Sequence, residues 1–110
     1  MQKIIEYWKT EEGYESITDD NAFCAYEYAN GEFFIAHFYV HDRTGGKSYA
    51  FFNRVKEAAI GLGATRITGV LHRNEANADQ FHKKLLVHLR NGYKILSIAE
   101  NRITVIYELD

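Results

Sequence analysis

EFFIAHFYVHDRTGGKSYAFFNRVKEAAIGL, residues 32–62, is the stretch that decides how this chain folds. Its first nine residues, Glu32 to Val40, are apolar on both alternating faces, with Phe34, Ala36 and Phe38 on one and Phe33, Ile35 and Tyr39 on the other. A strand of that kind belongs in the middle of a sheet, where both faces are covered. The next segment, His41 to Ser48, is polar and contains Gly45-Gly46, so it reads as a loop. From Tyr49 to Leu62 the apolar residues Phe52, Val55, Ala59 and Leu62 recur at three and four residues, with Arg54, Lys56 and Glu57 opposite. That period predicts an amphipathic helix, closed by Gly61 and Gly63.

Upstream, Phe23, Tyr26 and Tyr28 lie in a strand-like run from Ala22 that ends at Asn30-Gly31. Both residues tolerate the positive φ of a type I′ turn, so a hairpin leads into the Glu32 strand. Downstream, Arg66 to Leu71 is rich in β-branched residues and predicts a strand parallel to the first, reached by a right-handed crossover. Asn74 or Asn77 caps a second helix, with Gln80 three residues after Asn77. Its buried stripe is Ala78, Phe81, Leu85, His88 and Leu89, and Gly92 ends it. Lys94 to Ile98 and Arg102 to Leu109 form a closing hairpin. Residues 1–21 are poorly patterned: Ile4, Ile5 and Trp8 sit at helical spacing, but Gly13 and scattered acids leave room only for a short helix. The order (α)-β-β-α-β-α-β-β describes one α/β domain over residues 1–110, with a single mixed sheet flanked by helices.

A chain of 110 residues, 46% of them hydrophobic, has room for one domain and enough apolar side chains for its core. Cys24 is the single cysteine, which excludes an internal disulfide and a multi-cysteine zinc site and points to a reducing compartment. With no apolar run long enough to cross a bilayer, the expected location is cytoplasmic. His37 and His41 fall on a strand and a loop, and His82 and His88 on opposing helix faces, so no helical i, i+4 histidine pair is present and no metal is expected. Charge is unevenly spread. Residues 1–42 hold two lysines against nine carboxylates, whereas residues 43–98 hold ten Lys and Arg against three. The basic middle favours an anionic ligand, phosphates above all.

Arg43-Thr44-Gly45-Gly46-Lys47-Ser48 occupies the place for such a ligand, between a buried strand and a helix N-terminus. The first N–H groups of a helix lack partners inside it, and glycines let backbone amides approach a pyrophosphate closely. The plainer reading is a turn with Ser48 as N-cap. Gly46-Lys47-Ser48 also invites comparison with the nucleotide-binding P-loop, but His41 stands where that motif needs its first glycine.

The stretch resembles the acyl-CoA loop of the GNAT family of N-acetyltransferases, [Q/R]-x-x-G-x-[G/A], at Arg43 and Gly46, with Ser48 in the last small position. Gly63-Ala64-Thr65-Arg66-Ile67 is similar to the family's following G-x-x-x-[I/L], and Asn74, Phe81 and Lys83 fall in register with its N-x-x-A-x-x-x-Y-x-K segment. Gly92-Tyr93 looks like the terminal Gly-aromatic pair displaced by seven residues.

The resemblance implies a short GNAT domain that binds acetyl-CoA and transfers the acetyl group to an amine. It places Phe38, Val40, Arg43, Thr44, Gly45, Gly46, Lys47, Ser48, Asn74, Phe81 and Lys83 along the cofactor. The Val40 N–H, by preference, polarises the thioester carbonyl, and Asn74 bonds the pantetheine or a water. His41 is the first candidate base, with His37 and His72 beside it. Phe81 replaces the Tyr that family members often use to protonate the departing thiolate, and no counterpart of the family's usual first strand is visible.

A catalytically inactive binding or structural protein on the same fold is the alternative. A second alternative is a basic nucleic-acid face of Lys83, Lys84, Arg90 and Lys94, opposed by the acidic N-terminal third. The short N-terminus leaves an apolar sheet edge that a second copy could cover, making a homodimer.

Overall fold

The computed structural model describes residues 6–20, 22–40, 47–74, 76 and 78–109. Six strands form one mixed sheet: β1 (Glu15–Asp19), β2 (Ala22–Ala29), β3 (Glu32–Val40), β4 (Arg66–His72), β5 (Lys94–Ala99) and β6 (Arg102–Glu108). Two helices, α1 (Lys47–Gly61) and α2 (Ala78–Arg90), connect β3 to β4 and β4 to β5. The spatial order is β1-β2-β3-β4-β6-β5. Only β3 and β4 run parallel; every other neighbouring pair is antiparallel.

The expected single mixed sheet is present with one strand more than the sequence pattern suggested. Glu15–Asp19 pairs along β2 from Glu15↔Tyr26 to Asp19↔Ala22. It was illegible because only Ile17 is a strong strand former with an apolar side chain there, and an edge strand needs no second covered face. Before it, the expected short helix is a π-helical turn, Trp8–Glu12.

Asn30 and Gly31 have φ of 53° and 79°, so the β2–β3 hairpin turns as its dipeptide requires. Beyond it the β2–β3 register steps from Tyr26↔Ile35 to Ala25↔His37, leaving Ala36 without an opposite residue. This bulge corrects the simple alternation read from the sequence. Phe33 and Ile35 share a face, and after the extra residue Phe38 and Val40 join that same face, because a bulge shifts the two-residue period by one.

Both helices cover this face. The Phe38 ring lies 5.5 Å from Phe51 and 4.6 Å from Phe52 on α1, and 5.6 Å from His88 on α2. Phe33, Ile67, Phe51, Val55 and Val105 are fully enclosed and form the centre of the core. Tyr39, expected on a covered face of β3, is exposed, and so are two helix residues expected inside. Leu62 falls after α1 has closed through Gly63 N–H to Ile60 C=O at 2.9 Å, and Leu89 lies on a flank of α2; both are exposed. At the end of α2, Gly92 adopts φ 93°, and a Cβ there would meet the Tyr107 ring at 2.9 Å, so only glycine fits.

Truncating the enclosed ring in Phe33→Ala is expected to cost about 3–5 kcal/mol in urea unfolding, whereas Leu62→Ser should stay within about 0.5 kcal/mol. Cys24 is fully buried on β2, and burial pushes its thiol up to about 12. The native protein should therefore ignore a thiol reagent at pH 8 and react only on unfolding. Because the folded thiol stays protonated while the unfolded one ionises, stability should fall as pH rises from about 9 toward 12.

Candidate functional site

The parallel ladder between β3 and β4 joins Glu32↔Arg66, Phe33↔Ile67, Phe34↔Thr68 and Ile35↔Gly69, and then stops. Both strands continue, β3 to Val40 and β4 to His72. Past that point β3 stays with β2, through pairs up to Ala22↔Val40, while β4 stays with β6 as far as His72↔Arg102. The two halves of the sheet separate like an opened hinge.

The base is fastened. Thr65 N–H donates to Gly31 C=O at 2.8 Å, and Arg66 Nε donates to Glu32 Oε1 at 3.0 Å. Toward the upper end β3 carries the Ala36 bulge, which bends the strand, and Phe38 beyond it packs against Phe52 of α1.

Between the separated strands lies a cleft of about 620 Å³, within the range of ligand sites. Its walls are residues 35–40 of β3 and 69–72 of β4, with Gln80, Phe81, Lys83, Lys84 and His88 of α2 closing one side. Sequence spacing explains the helix wall, since Gln80 and Lys84, then Phe81 and His88, repeat at i+4 and i+7. His88 is buried; its Nδ1 lies 2.8 Å from Lys84 C=O, so that nitrogen donates, and the ring sits edge-on to Phe52 and Tyr93. It acts as a packed histidine that stiffens the cleft floor.

The cleft lining carries lysines, and the carboxylates near His37 lie outside that lining. Lys83 and Lys84 stand on the α2 side. On the β3 side His37 lies with its Nε2 3.7 Å from Glu12 Oε2 and its ring 5.8 Å from Tyr14. The Tyr14 phenol is held above its usual value, first by burial and then by Glu12 and Glu27, so carboxylates gather there.

The residues singled out from the sequence divide accordingly. Phe38, Val40, Phe81 and Lys83 line this one cleft, and Phe81, buried, brings no hydroxyl into it. Asn74 is exposed, two positions beyond β4. Lys47 and Ser48 open α1, while His41, Arg43, Thr44, Gly45 and Gly46 lie outside the described residues. Of the further bases weighed, His37 and His72 both line the cleft, and His37 has the carboxylate beside it.

Gln80, Lys84 and Gly69 are cleft residues that the sequence reading did not select. The helical repeat of Gln80 and Lys84 carried a signal; Gly69 carried none. The four cations considered as a nucleic-acid face do not share one: Lys84 turns into the cleft, Arg90 lines a separate groove beside Asn53 and Lys56, and Lys94 begins β5. Among the described residues no three His, Cys, Asp or Glu side chains are grouped to hold a metal ion. None of the described helices is long and apolar enough to cross a membrane.

No family model matches the chain, and no curated protein does. Solved structures do. A protein assigned as a GNAT-family acetyltransferase from Desulfovibrio desulfuricans is similar at a TM-score of 0.72 and 14% identity, over 99% of this chain and 78% of that one. A Bacillus subtilis acetyltransferase solved with CoA has a TM-score of 0.67 and 15% identity, over 98% and 84%. The Campylobacter jejuni N-acetyltransferase PseH, solved with acetyl coenzyme A, has a TM-score of 0.66 and 11% identity, over 99% and 77%. With its mixed six-stranded sheet, its helices and its separated central strands, the chain has the fold of the GNAT acyl-CoA N-acyltransferases.

Proposed function

We propose that this chain binds acetyl-CoA in the cleft between β3 and β4 and transfers the acetyl group to an amine. The observation that carries the reading is the end of the parallel ladder at Ile35↔Gly69, which leaves a gap with backbone amides along its β3 wall. A pantetheine arm is slender and carries amide groups, so it suits a gap bounded by unpaired strand edge. The N–H groups of residues 36–40 that point toward β4, Val40 by preference, donate to the arm and to the thioester oxygen. Lys83 and Lys84 supply positive charge for the phosphates, and Arg43 and Lys47, singled out in the sequence, add to it.

Bound acetyl-CoA supplies an activated acyl group whose thiolate departs readily. The acceptor amine, cationic in water, approaches from the side of His37, where Glu12 lies. His37, with Glu12 beside it, is the base in this arrangement, in place of the His41 first considered. Phe81 gives no proton to the leaving thiolate, so turnover is slow. A second reading rests on that same side chain: a chain that binds the cofactor without turning it over.

Saturation at about 100 times Kd should stabilise the protein by roughly 2.7 kcal/mol and raise its Tm by several degrees. No shift with acetyl-CoA at millimolar concentration removes both readings. Release of free thiol with a panel of amines distinguishes them, since the binding module shifts in Tm but releases nothing. Phe81→Tyr should raise the rate at least about tenfold by restoring an acid in the cleft, without raising affinity. His37→Gln should lower it by roughly 10²-fold or more.

A further inference from the structure

The two outer edges of the sheet are unlike. β1 is bracketed by Glu15 and Asp19 and holds one aliphatic residue, Ile17, so charge guards that edge. β5, Lys94–Ala99, is the opposite edge, and all six of its residues are exposed. Ile95, Leu96 and Ile98 are 43%, 58% and 71% exposed, with no charge between Lys94 and Glu100 and no proline. The register against β6 skips Leu96, a bulge that adds twist but no charge. The apolar edge expected from the short N-terminus is not found there, because β1 covers β2; the apolar edge lies instead at β5, which the sequence reading did not single out. α2 extends the patch. Gln80 and Lys84 face the cleft and Asn91 faces the groove beside α1, so helical geometry puts exposed Leu89 on the flank turned away from both.

We propose that β5 pairs antiparallel with β5 of a second copy, about a two-fold axis through Ser97, joining two six-stranded sheets into one. The strand's own sequence selects this occupant and this register. With Ser97 opposite itself, Leu96 faces Ile98 and Ile95 faces Ala99, and the two charges that bracket the strand meet, Lys94 against Glu100 of the second copy. Each contact occurs twice, as a two-fold requires. A one-residue shift would face Lys94 with Ala99 and lose both ion pairs. The pairing needs no acetyl-CoA and stands apart from the activity proposed above.

Sedimentation equilibrium of the full chain over a dilution series tests it, with circular dichroism as the check on folding. The expected species is a dimer. Lys94→Glu and Glu100→Lys, each placing like charges opposite at both ends, should weaken association at least about tenfold, and the double variant should restore it. A chain that stays monomeric at every concentration overturns the proposal and leaves the edge to a different partner. So does a dimer indifferent to the single exchanges, a double variant that fails to re-associate, or open-ended assembly, which would require another surface to pair.

Discussion

The rest of the structure depends on four consecutive strand pairings that end too soon. β3 and β4 are bound at Glu32–Ile35 and Arg66–Gly69 and nowhere beyond, so the centre of the sheet is closed at one end and open at the other. Each strand keeps its outer antiparallel neighbour, which means that the opening costs ladder hydrogen bonds on one side only. Aromatic packing supports the open state. Phe38 fills the space beneath the gap against Phe51, Phe52 and His88, so closing the strands would require rebuilding the densest part of the core.

How much of this was legible in the residues follows from range. Asn30-Gly31, the three-and-four spacing of Phe52, Val55 and Ala59, and the β-branched run at Ile67 are local signals, and the elements they announce are present. The parallel partnership of β3 and β4 followed from handedness alone. The Ala36 bulge was not legible, because one extra residue in a uniformly apolar strand leaves the pattern unchanged while moving Phe38 to the other face. The separation of the strands was equally silent, since no residue type marks where a ladder ends. Of the residues lining the cleft, Phe81 and Lys83 were singled out by resemblance to a motif, and Phe38 and Val40 by the place of their strand in the family resembled. Lys84 and Gln80, one helical turn apart, needed the position of α2 over β4 to acquire meaning.

Charge completes the arrangement. The acidic N-terminal third and the basic middle, far apart along the chain, meet the sheet at different places: Glu12 lies 3.7 Å from His37 on β3, while Lys83 and Lys84 of α2 line the cleft. The imbalance seen in the composition is thus a spatial gradient rather than a bulk property. An anion nearing the cleft meets the field of Lys83 and Lys84 before it makes any contact, and this acts over roughly a Debye length, about 8–10 Å at ordinary salt.

A sheet that divides down its middle acquires two interior rims besides its two outer ones. Outer rims are hazards because any extended chain can add to them, but the inner pair is flanked by α2 and bounds the cleft of about 620 Å³. The consequence is that unbranched molecules with peptide-like groups can bond along such a rim as a further strand would.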